Sequence, residues 1–476
     1  MSASMQKKTK IVATIGPASE SEEVLEKLVA AGLDVARLNF SHGSHEEHIH
    51  RLRRVRAVSL RAGRPVAVLQ DLGGPKIRLG EFSTPTITLR VGEQFTLSTK
   101  MCVGDEKHSY ISYPHITKEV KAGDPIMLDD GKKRLIVESV RGSDVVCRVA
   151  MGGEMKGRRG VNIPTGCQSI DCLTQKDRAD VLFGIKNKVD FFALSFVRKA
   201  SDVVELRTIL KKAGSTAGII AKIETPQAVL DIDAIIAAAD GIMVARGDLA
   251  VEVPAEQVPL IQKSIIKKCN QAGKPVITAT QMLESMTRGS VPTRAEVSDV
   301  ANAILDGTDA VMLSEETAMG VNPVEAVAVM ARVAAHVESD FLHRTLVTSR
   351  RTNGTTTLVT DAVSSSIVLA AESLGARVIV ALTLSGKTAR MLARHRPAQS
   401  IVALSPSEKT CAQLALSSGV RPIHIKKIKH FDEVLSLVRK EFTKRKLGAR
   451  GDIVVIASGF PFGKAIDTNM LLVERL

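Results

Sequence analysis

Eight short apolar runs, none with a clean alternation of apolar and polar residues, constrain this chain more than any other feature. They are Lys10 to Gly16, Asp34 to Asn39, Val66 to Asp71, Asp190 to Ser195, Gly218 to Ile223, Gly241 to Ala245, Pro275 to Thr280 and Asp309 to Ser314. Short β-rich runs without a polar face read as strands buried on both sides. Between them lie amphipathic segments with helix start signals. Ser19 with Glu22, Ser44 with Glu47 and Thr293 with Glu296 are candidate capping boxes, and Thr225-Pro226 and Asn322-Pro323 are candidate helix openings. Eight strands alternating with helices predict an α/β fold, a (β/α)8 TIM barrel with its chemistry at the strands' C-terminal ends. Those ends carry Arg37, Asn39, Ser41, Asp71, Ser195, Lys199, Lys222, Glu224, Asp248, Thr280 and Ser314, more polar groups than random strand termini would supply.

One gap between strands is too long for a single helix. From Pro75 to about Gly160 the pattern changes to short alternating runs such as Thr86-Ile87-Thr88-Leu89 and Arg134-Leu135-Ile136-Val137, punctuated by Asp129-Asp130-Gly131 and Gly152-Gly153. An antiparallel β domain inserted after the third barrel strand is expected there. Springing from the catalytic rim, it is placed to act as a lid; a packing or oligomerisation module is the alternative. The polar segment Arg350 to Thr357 reads as a linker, after which Arg377 to Leu382, Ser400 to Leu404, Arg421 to Ile425 and Asp452 to Ala457 suggest a C-terminal α/β domain. The expected division is barrel at 1–74 and 161–345, inserted β lid at 75–160, and a regulatory domain at 355–476.

Two strand ends carry the chemistry. In Ala221-Lys222-Ile223-Glu224 the two charged residues are two apart and so share a strand face, projecting an ammonium and a carboxylate into one volume. A structural ion pair would look the same in this segment alone. A second strand runs through Val244-Ala245-Arg246-Gly247 into Asp248. Two carboxylates at neighbouring strand ends suit a hard divalent cation that keeps several waters, and Lys222 between them suits a phosphoryl group. In the C-terminal domain, Thr383-Leu384-Ser385-Gly386-Lys387-Thr388 opens a helix with hydroxyls and backbone donors that can hold a phosphate. It is not a Walker loop, because Ala381 stands where the upstream glycine is required, and an ordinary capped loop is the alternative.

Composition narrows the classes. The formal charge of +14 raises nucleic acid as a partner, but two Tyr and no Trp leave few stacking platforms, and the basic stretch Lys426 to Lys446 looks like a solvated helix face. No nucleic-acid or membrane partner is expected: no apolar run approaches a membrane span, and Lys7-Lys8-Thr9-Lys10 lacks the core of a signal peptide. Six cysteines without CxxC pairing fit reduced thiols in a cytoplasmic protein. His42, His45, His48 and His50 cluster without a convincing partner carboxylate or cysteine and give no metal pattern.

The segments Ala36-Arg37-Leu38-Asn39-Phe40-Ser41-His42-Gly43, Gly74-Pro75-Lys76-Ile77-Arg78, Lys222-Ile223-Glu224, Ala245-Arg246-Gly247-Asp248-Leu249 and Ala279-Thr280-Gln281-Met282-Leu283-Glu284-Ser285-Met286 occur in an order that resembles the pyruvate kinase family across essentially the whole chain. The resemblance implies transfer of the phosphoryl group of phosphoenolpyruvate to ADP, giving pyruvate and ATP, with Mg²⁺ or Mn²⁺. It places Lys222 and Arg37 on the moving phosphoryl, Glu224 and Asp248 on the metal, and the backbone donors of Gly247 and Asp248 on the substrate carboxylate. It sets Thr280 beside the enolate carbon, with Ser314 further along a proton relay. Arg78 and Lys199 match positions for nucleotide or phosphate, with His42 and Asn39 nearby. Thr383, Ser385, Gly386, Lys387 and Thr388 resemble an effector loop for a phosphorylated small molecule, and a homotetramer is implied.

The same resemblance assigns Asn39, Ser41, Asp71 and the Leu72 carbonyl to a monovalent-cation region. Members with Lys at position 76 tend not to need K⁺, so Lys76 implies that K⁺ is not required. Two residues depart from the usual pattern: Ala250 follows Gly-Asp-Leu where a glycine is common, and Glu315 follows Ser314 where a small residue is common. Two other functions compete. One is a different metal-dependent barrel enzyme acting on phosphoenolpyruvate or oxoacids, a lyase or mutase; the other is a metabolite-sensing paralogue without turnover.

Overall fold

The computed structural model describes residues 7–165, 169–340, 359–428, 432–461 and 466–476. The linker expected at 350–357 lies outside these residues. The eight apolar runs form eight parallel strands, Lys10–Thr14, Val35–Asn39, Ala67–Asp71, Phe191–Leu194, Gly218–Ile223, Gly241–Ala245, Val276–Ala279 and Ala310–Leu313, referred to below as barrel strands one to eight. They close into a barrel in which strand one pairs with both strand two and strand eight. The absence of alternation has a direct cause. Val12, Val35, Leu69, Ile220, Met243, Ile277 and Met312 fill the barrel interior, while their neighbours, such as Ile11, Ala13, Ile219 and Ile242, pack outward on the helices.

Side-chain caps start several of the surrounding helices. Ser44 with Glu47 and Thr293 with Glu296 form capping boxes at His45–Arg61 and Arg294–Asp306, and Thr174 with Asp177 forms another at Gln175–Lys186. The box expected from Ser19 and Glu22 does not form. The helix begins at Glu22 with Ser21 as its cap, because the Ser19 hydroxyl is already bonded to the Gly16 amide in the preceding turn.

Between strands three and four the chain leaves the barrel and builds a six-stranded sheet and a two-stranded sheet around a separate core that includes Phe95, Leu97, Ile126 and Leu135. Their pairings are antiparallel except for Gln94–Ser98 with His108–Tyr110. The C-terminal domain is a five-stranded sheet in which Val378–Leu382, Ser400–Ser405, Val420–His424 and Ile453–Ser458 run parallel. The edge strand Met470–Arg475, not expected from the sequence, runs antiparallel. Among the described residues no helix is long and apolar enough to cross a membrane.

This domain docks against the barrel's N-terminal face. Arg396 Nη2 donates to Asp309 Oδ2 at 2.9 Å and to the Gly307 carbonyl at 2.7 Å. Lys10 donates to the Val420 carbonyl at 2.7 Å. Burial pushes the Lys10 ammonium down to about 8, against the favourable field of Asp34. A lysine whose folded pKa is lowered releases its proton before the unfolded chain does, so its contribution to stability rises with pH between about 8 and 10.5. We therefore expect unfolding free energies of wild type and Lys10→Met to change in the wild type's favour over this interval. A difference independent of pH would show that Lys10 stays charged throughout.

Candidate active site

Parallel register sets the level of the site. Asn39 lies opposite Asp71, and Ala221 opposite Leu194, so Lys222 stands where strand four gives way to Ser195. The result is one buried ionic network at the strands' C-terminal ends. Arg37 Nε donates to Asp71 Oδ2 at 2.7 Å and its Nη1 to Thr14 Oγ1 at 2.8 Å. Lys222 Nζ lies 2.8 Å from Glu224 Oε1, 2.6 Å from Ser195 Oγ and 3.3 Å from Asp71 Oδ1. Ser195 donates its own proton to the Leu72 carbonyl at 2.7 Å. Two cations and two anions thus balance within one small volume. Burial opposes charge on Lys222, yet Asp71, Glu224 and Asp248 together hold its pKa above the ordinary lysine range. Asp71 behaves conversely: burial opposes its charge, while Lys222 and Arg37 hold it below the carboxylate range.

Glu224 is the member short of positive charge. Its Oε2 accepts the Phe196 amide proton at 2.7 Å. Burial, reinforced by the negative field of Asp248, still raises its pKa despite Lys222. A second carboxylate, Asp248, is close enough to be felt and lies exposed at the opening of the helix Arg246–Glu252; together the two are oxygen donors that could hold a divalent ion. Among the described residues no cage of three or more His, Cys, Asp or Glu side chains forms. Carboxylate oxygens of the kind Glu224 and Asp248 carry are hard donors.

Thr280 lies across the mouth. The Gly247 amide donates to its Oγ1 at 2.8 Å, and Oγ1 donates to the Ala279 carbonyl at 2.6 Å. Its backbone is left-handed, with φ of 69°, and so is that of Gln281, with φ of 55°. The Ser314 amide is held by Glu316 Oε2 at 2.6 Å, and Glu316 Oε1 accepts from the Leu283 amide at 3.2 Å. The departing residue Glu315 is exposed, so the buried carboxyl at this end is its neighbour Glu316, whose pKa burial raises.

Other expected residues ring the opening without hydrogen-bonding to the Lys222 network. Lys76 is subject to the charges of Asp248, Lys222, Arg78 and Glu224, and burial lowers its pKa. His42 is held toward its neutral form by burial and by Lys76, Arg78 and Arg37. Arg78 donates to the Arg158 carbonyl at 3.1 Å, Lys199 is exposed before the helix Ala200–Lys212, and Asn39 Oδ1 accepts the Ser41 amide at 3.1 Å. The loop Thr383 to Thr388 is remote, in the C-terminal domain, beside a cavity of about 130 Å³. There Gly386, with φ of 83°, donates to Thr383 Oγ1 at 2.9 Å, Lys387 pairs with Asp467, and Thr388 Oγ1 accepts from Thr468 at 2.9 Å.

The inserted domain and its connections to the barrel approach the site at Gly74, Gly131 and Asn162, the last in the short strand Val161–Asn162 that pairs into the six-stranded sheet just past the expected boundary at 160. Gly74, with φ of +67°, lies in the segment that leaves barrel strand three; a Cβ there would lie 2.6 Å from the Phe196 ring, so only glycine fits both the conformation and the space. Gly131 faces Val251, and the Asn162 side-chain amide donates to Glu252 Oε1 at 2.8 Å. Burial pushes the Glu252 carboxyl up to about 7, with Asp248 and Glu224 adding to the shift. Sequence reasoning did not identify Glu252, Glu316 or the bond from Lys222 to Ser195. Only Ser195 left a signal, as a hydroxyl residue at a strand end.

A TIM barrel whose mouth sets a buried Lys–Arg pair against two carboxylates beside an inserted β domain fits a metal-dependent phosphotransferase. The comparisons agree. Residues 6–327 match the family model described as pyruvate kinase, barrel domain, and residues 361–474 the one described as pyruvate kinase, alpha/beta domain. A pyruvate kinase of Geobacillus stearothermophilus is 48% identical over 99% of this chain and 80% of that protein, and one of Clostridium acetobutylicum is 44% identical over 98% of this chain and 99% of that protein. The crystal structure of a pyruvate kinase from Cryptosporidium parvum superposes with a TM-score of 0.94 at 36% identity, covering 99% of this chain and 96% of that one. The chain belongs to the pyruvate kinase family, whose members require a divalent metal.

Proposed function

We propose that the chain transfers the phosphoryl group of phosphoenolpyruvate to ADP, giving pyruvate and ATP. The observation that carries this reading is Lys222, a buried ammonium bonded to Glu224 and Ser195 and faced by Asp71. Charge on a phosphoryl in flight is spread over its oxygens, so a fixed cation in a dry site stabilises it with little reorganisation. Arg37, anchored by Asp71 and Thr14, assists Lys222. Glu224 and Asp248 hold Mg²⁺ or Mn²⁺. When bound, that cation supplies neutralising charge to phosphate and carboxylate oxygens. The amides of Gly247 and Asp248 receive the substrate carboxylate, which displaces the Thr280 hydroxyl from the Gly247 amide. Thr280 then takes part in proton delivery to the methylene carbon with Ser314 beyond it; an unperturbed threonine is too weak an acid to act alone. Arg78, Lys199, His42 and Asn39 serve the nucleotide side, and the inserted domain, roughly 75–160, closes over both substrates.

A coupled assay for pyruvate tests this directly. Phosphoenolpyruvate with ADP and Mg²⁺ should give pyruvate and ATP together. Pyruvate without ATP, or another product, would favour a lyase or mutase, and binding without turnover would favour a sensing paralogue. The loop Thr383 to Thr388 is proposed to bind a phosphorylated effector within a homotetramer. Addition of sugar phosphates and AMP to the assay should lower the apparent KM for phosphoenolpyruvate, and no response to any of them would remove that role. The cytoplasm is the proposed compartment, in keeping with five unpaired cysteines among the described residues.

Lys76 is proposed to replace K⁺. Its ammonium lies in the field of Asp248 and Glu224, where a Glu would instead add negative charge for an inorganic cation to balance. Wild-type enzyme should therefore retain substantial activity with Mg²⁺ in a tetramethylammonium background. Lys76→Glu should partly restore dependence on K⁺. An absolute K⁺ requirement in the wild type would overturn this assignment.

A further inference from the structure

We infer that Arg246 is a positioning residue that holds Thr280 in its working conformation and joins it to the helix bearing the substrate-carboxylate donors; the inference rests on the function proposed above. Thr280 and Gln281 occupy the left-handed region in succession. A β-branched residue rarely stays there unless its surroundings enforce it. The enforcing group is the Arg246 guanidinium. Its Nη2 donates to the Thr280 carbonyl at 2.7 Å and its Nε to the Ala279 carbonyl at 3.3 Å. From behind, Asp299 on the helix Arg294–Asp306 accepts from Nη1 at 2.7 Å and lies 2.7 Å from Nη2, with Gln262 Oε1 3.4 Å from Nη1.

The guanidinium thus grips main chain on one side and a carboxylate on the other, and its side chain is only 12% exposed. Arg246 also opens the helix Arg246–Glu252, so its immediate neighbour Gly247 supplies the amide now bonded to Thr280 Oγ1. One planar group fixes the distance between the proton-delivering hydroxyl and the carboxylate donors. A lysine could not do the same. Its single ammonium lacks the fork that meets a carbonyl and a carboxylate in one plane.

The step most sensitive to this arrangement is proton transfer at the methylene carbon, since displacement of a reacting group by about 1 Å can cost about a hundredfold in rate. That step can be observed without phosphoryl transfer. When pyruvate is incubated with enzyme, inorganic phosphate and Mg²⁺ in D₂O without nucleotide, a methyl C–H bond breaks, the proton passes to solvent, and the enolate closes a C–D bond with solvent deuteron. NMR of the methyl group follows the exchange. Arg246→Lys should lower kcat and the exchange rate together by about a hundredfold, leaving the KM for ADP within about threefold. Asp299→Asn, which loosens Arg246 while keeping its shape and hydrogen-bond acceptor, should lower both in the same direction by a smaller factor.

Active wild-type enzyme with either folded variant exchanging and turning over at the wild-type rate would overturn the role of Arg246, as would loss of kcat with exchange intact. If Arg246→Lys does not fold, Asp299→Asn decides. A folded wild-type enzyme that forms no pyruvate from phosphoenolpyruvate and ADP would instead overturn the function itself.

Discussion

Replacing Lys222 by methionine should lower kcat at least about a thousandfold while changing the KM for phosphoenolpyruvate far less. The ammonium strengthens its interaction as charge develops on the moving phosphoryl, so its removal falls mainly on the transition state. Its surroundings sharpen the effect. Asp71 keeps Arg37 as a partner after the change, but Glu224 loses the one ion pair it makes among the described residues, and Ser195 loses a donor at 2.6 Å. Leaving a buried carboxylate without its partner costs about 3–5 kcal/mol of stability, so kinetics must be measured on variant shown to be folded. Retention of more than about a tenth of wild-type kcat would remove Lys222 from the centre of the reaction, because a single electrostatic stabiliser is worth more than that.

If Glu224 and Asp248 hold the metal as proposed, Asp248→Asn should raise the concentration of Mg²⁺ or Mn²⁺ needed for half-maximal activity by about a hundredfold, since it would take one of two anionic donors from a hard cation. Unlike Glu224, Asp248 is exposed, so the substitution should leave the fold untouched. Direct titration with Mn²⁺, followed by its electron paramagnetic resonance signal, separates lost metal from lost chemistry. Unchanged Mn²⁺ affinity in this variant would place the metal elsewhere. The exchange carries a second signature: with the Asp248 charge gone, the Glu224 pKa should fall, because Asp248 is among the groups that raise it.

The barrel was legible because its strands are buried on both faces, which leaves an unmistakable run of Val, Ile and Ala. The final strand Met470–Arg475 left no such trace, since along it half-exposed and exposed residues alternate at a sheet edge. At the site, residue types were legible and partnerships were not. Arg37, Asp71 and Lys222 each announced themselves at a strand end, but which cation meets which anion depends on how the strands are staggered around the barrel. Thr280 gave no hint of its left-handed backbone, because a β-branched residue argues against one. Glu252 was invisible for a different reason. Its raised pKa arises in a pocket shared with Asn162, which stands 90 positions earlier in the inserted domain. Similarly, the sequence drew attention to Glu315 as an unusual neighbour of Ser314, while the carboxyl that braces that turn is Glu316.

Phe196 ties the inserted domain to the Lys222–Glu224 pair more closely than either appears from its own residues. Its ring fills the space where Gly74 would carry a side chain, its amide holds Glu224, and its backbone is itself left-handed with φ of 55°. One residue therefore both packs against the turn that leads into the insertion and holds the carboxylate of Glu224. The insertion is accordingly not independent of the barrel mouth: splicing it out at Gly74 should disturb the Phe196 ring and, through its amide, the carboxylate of Glu224.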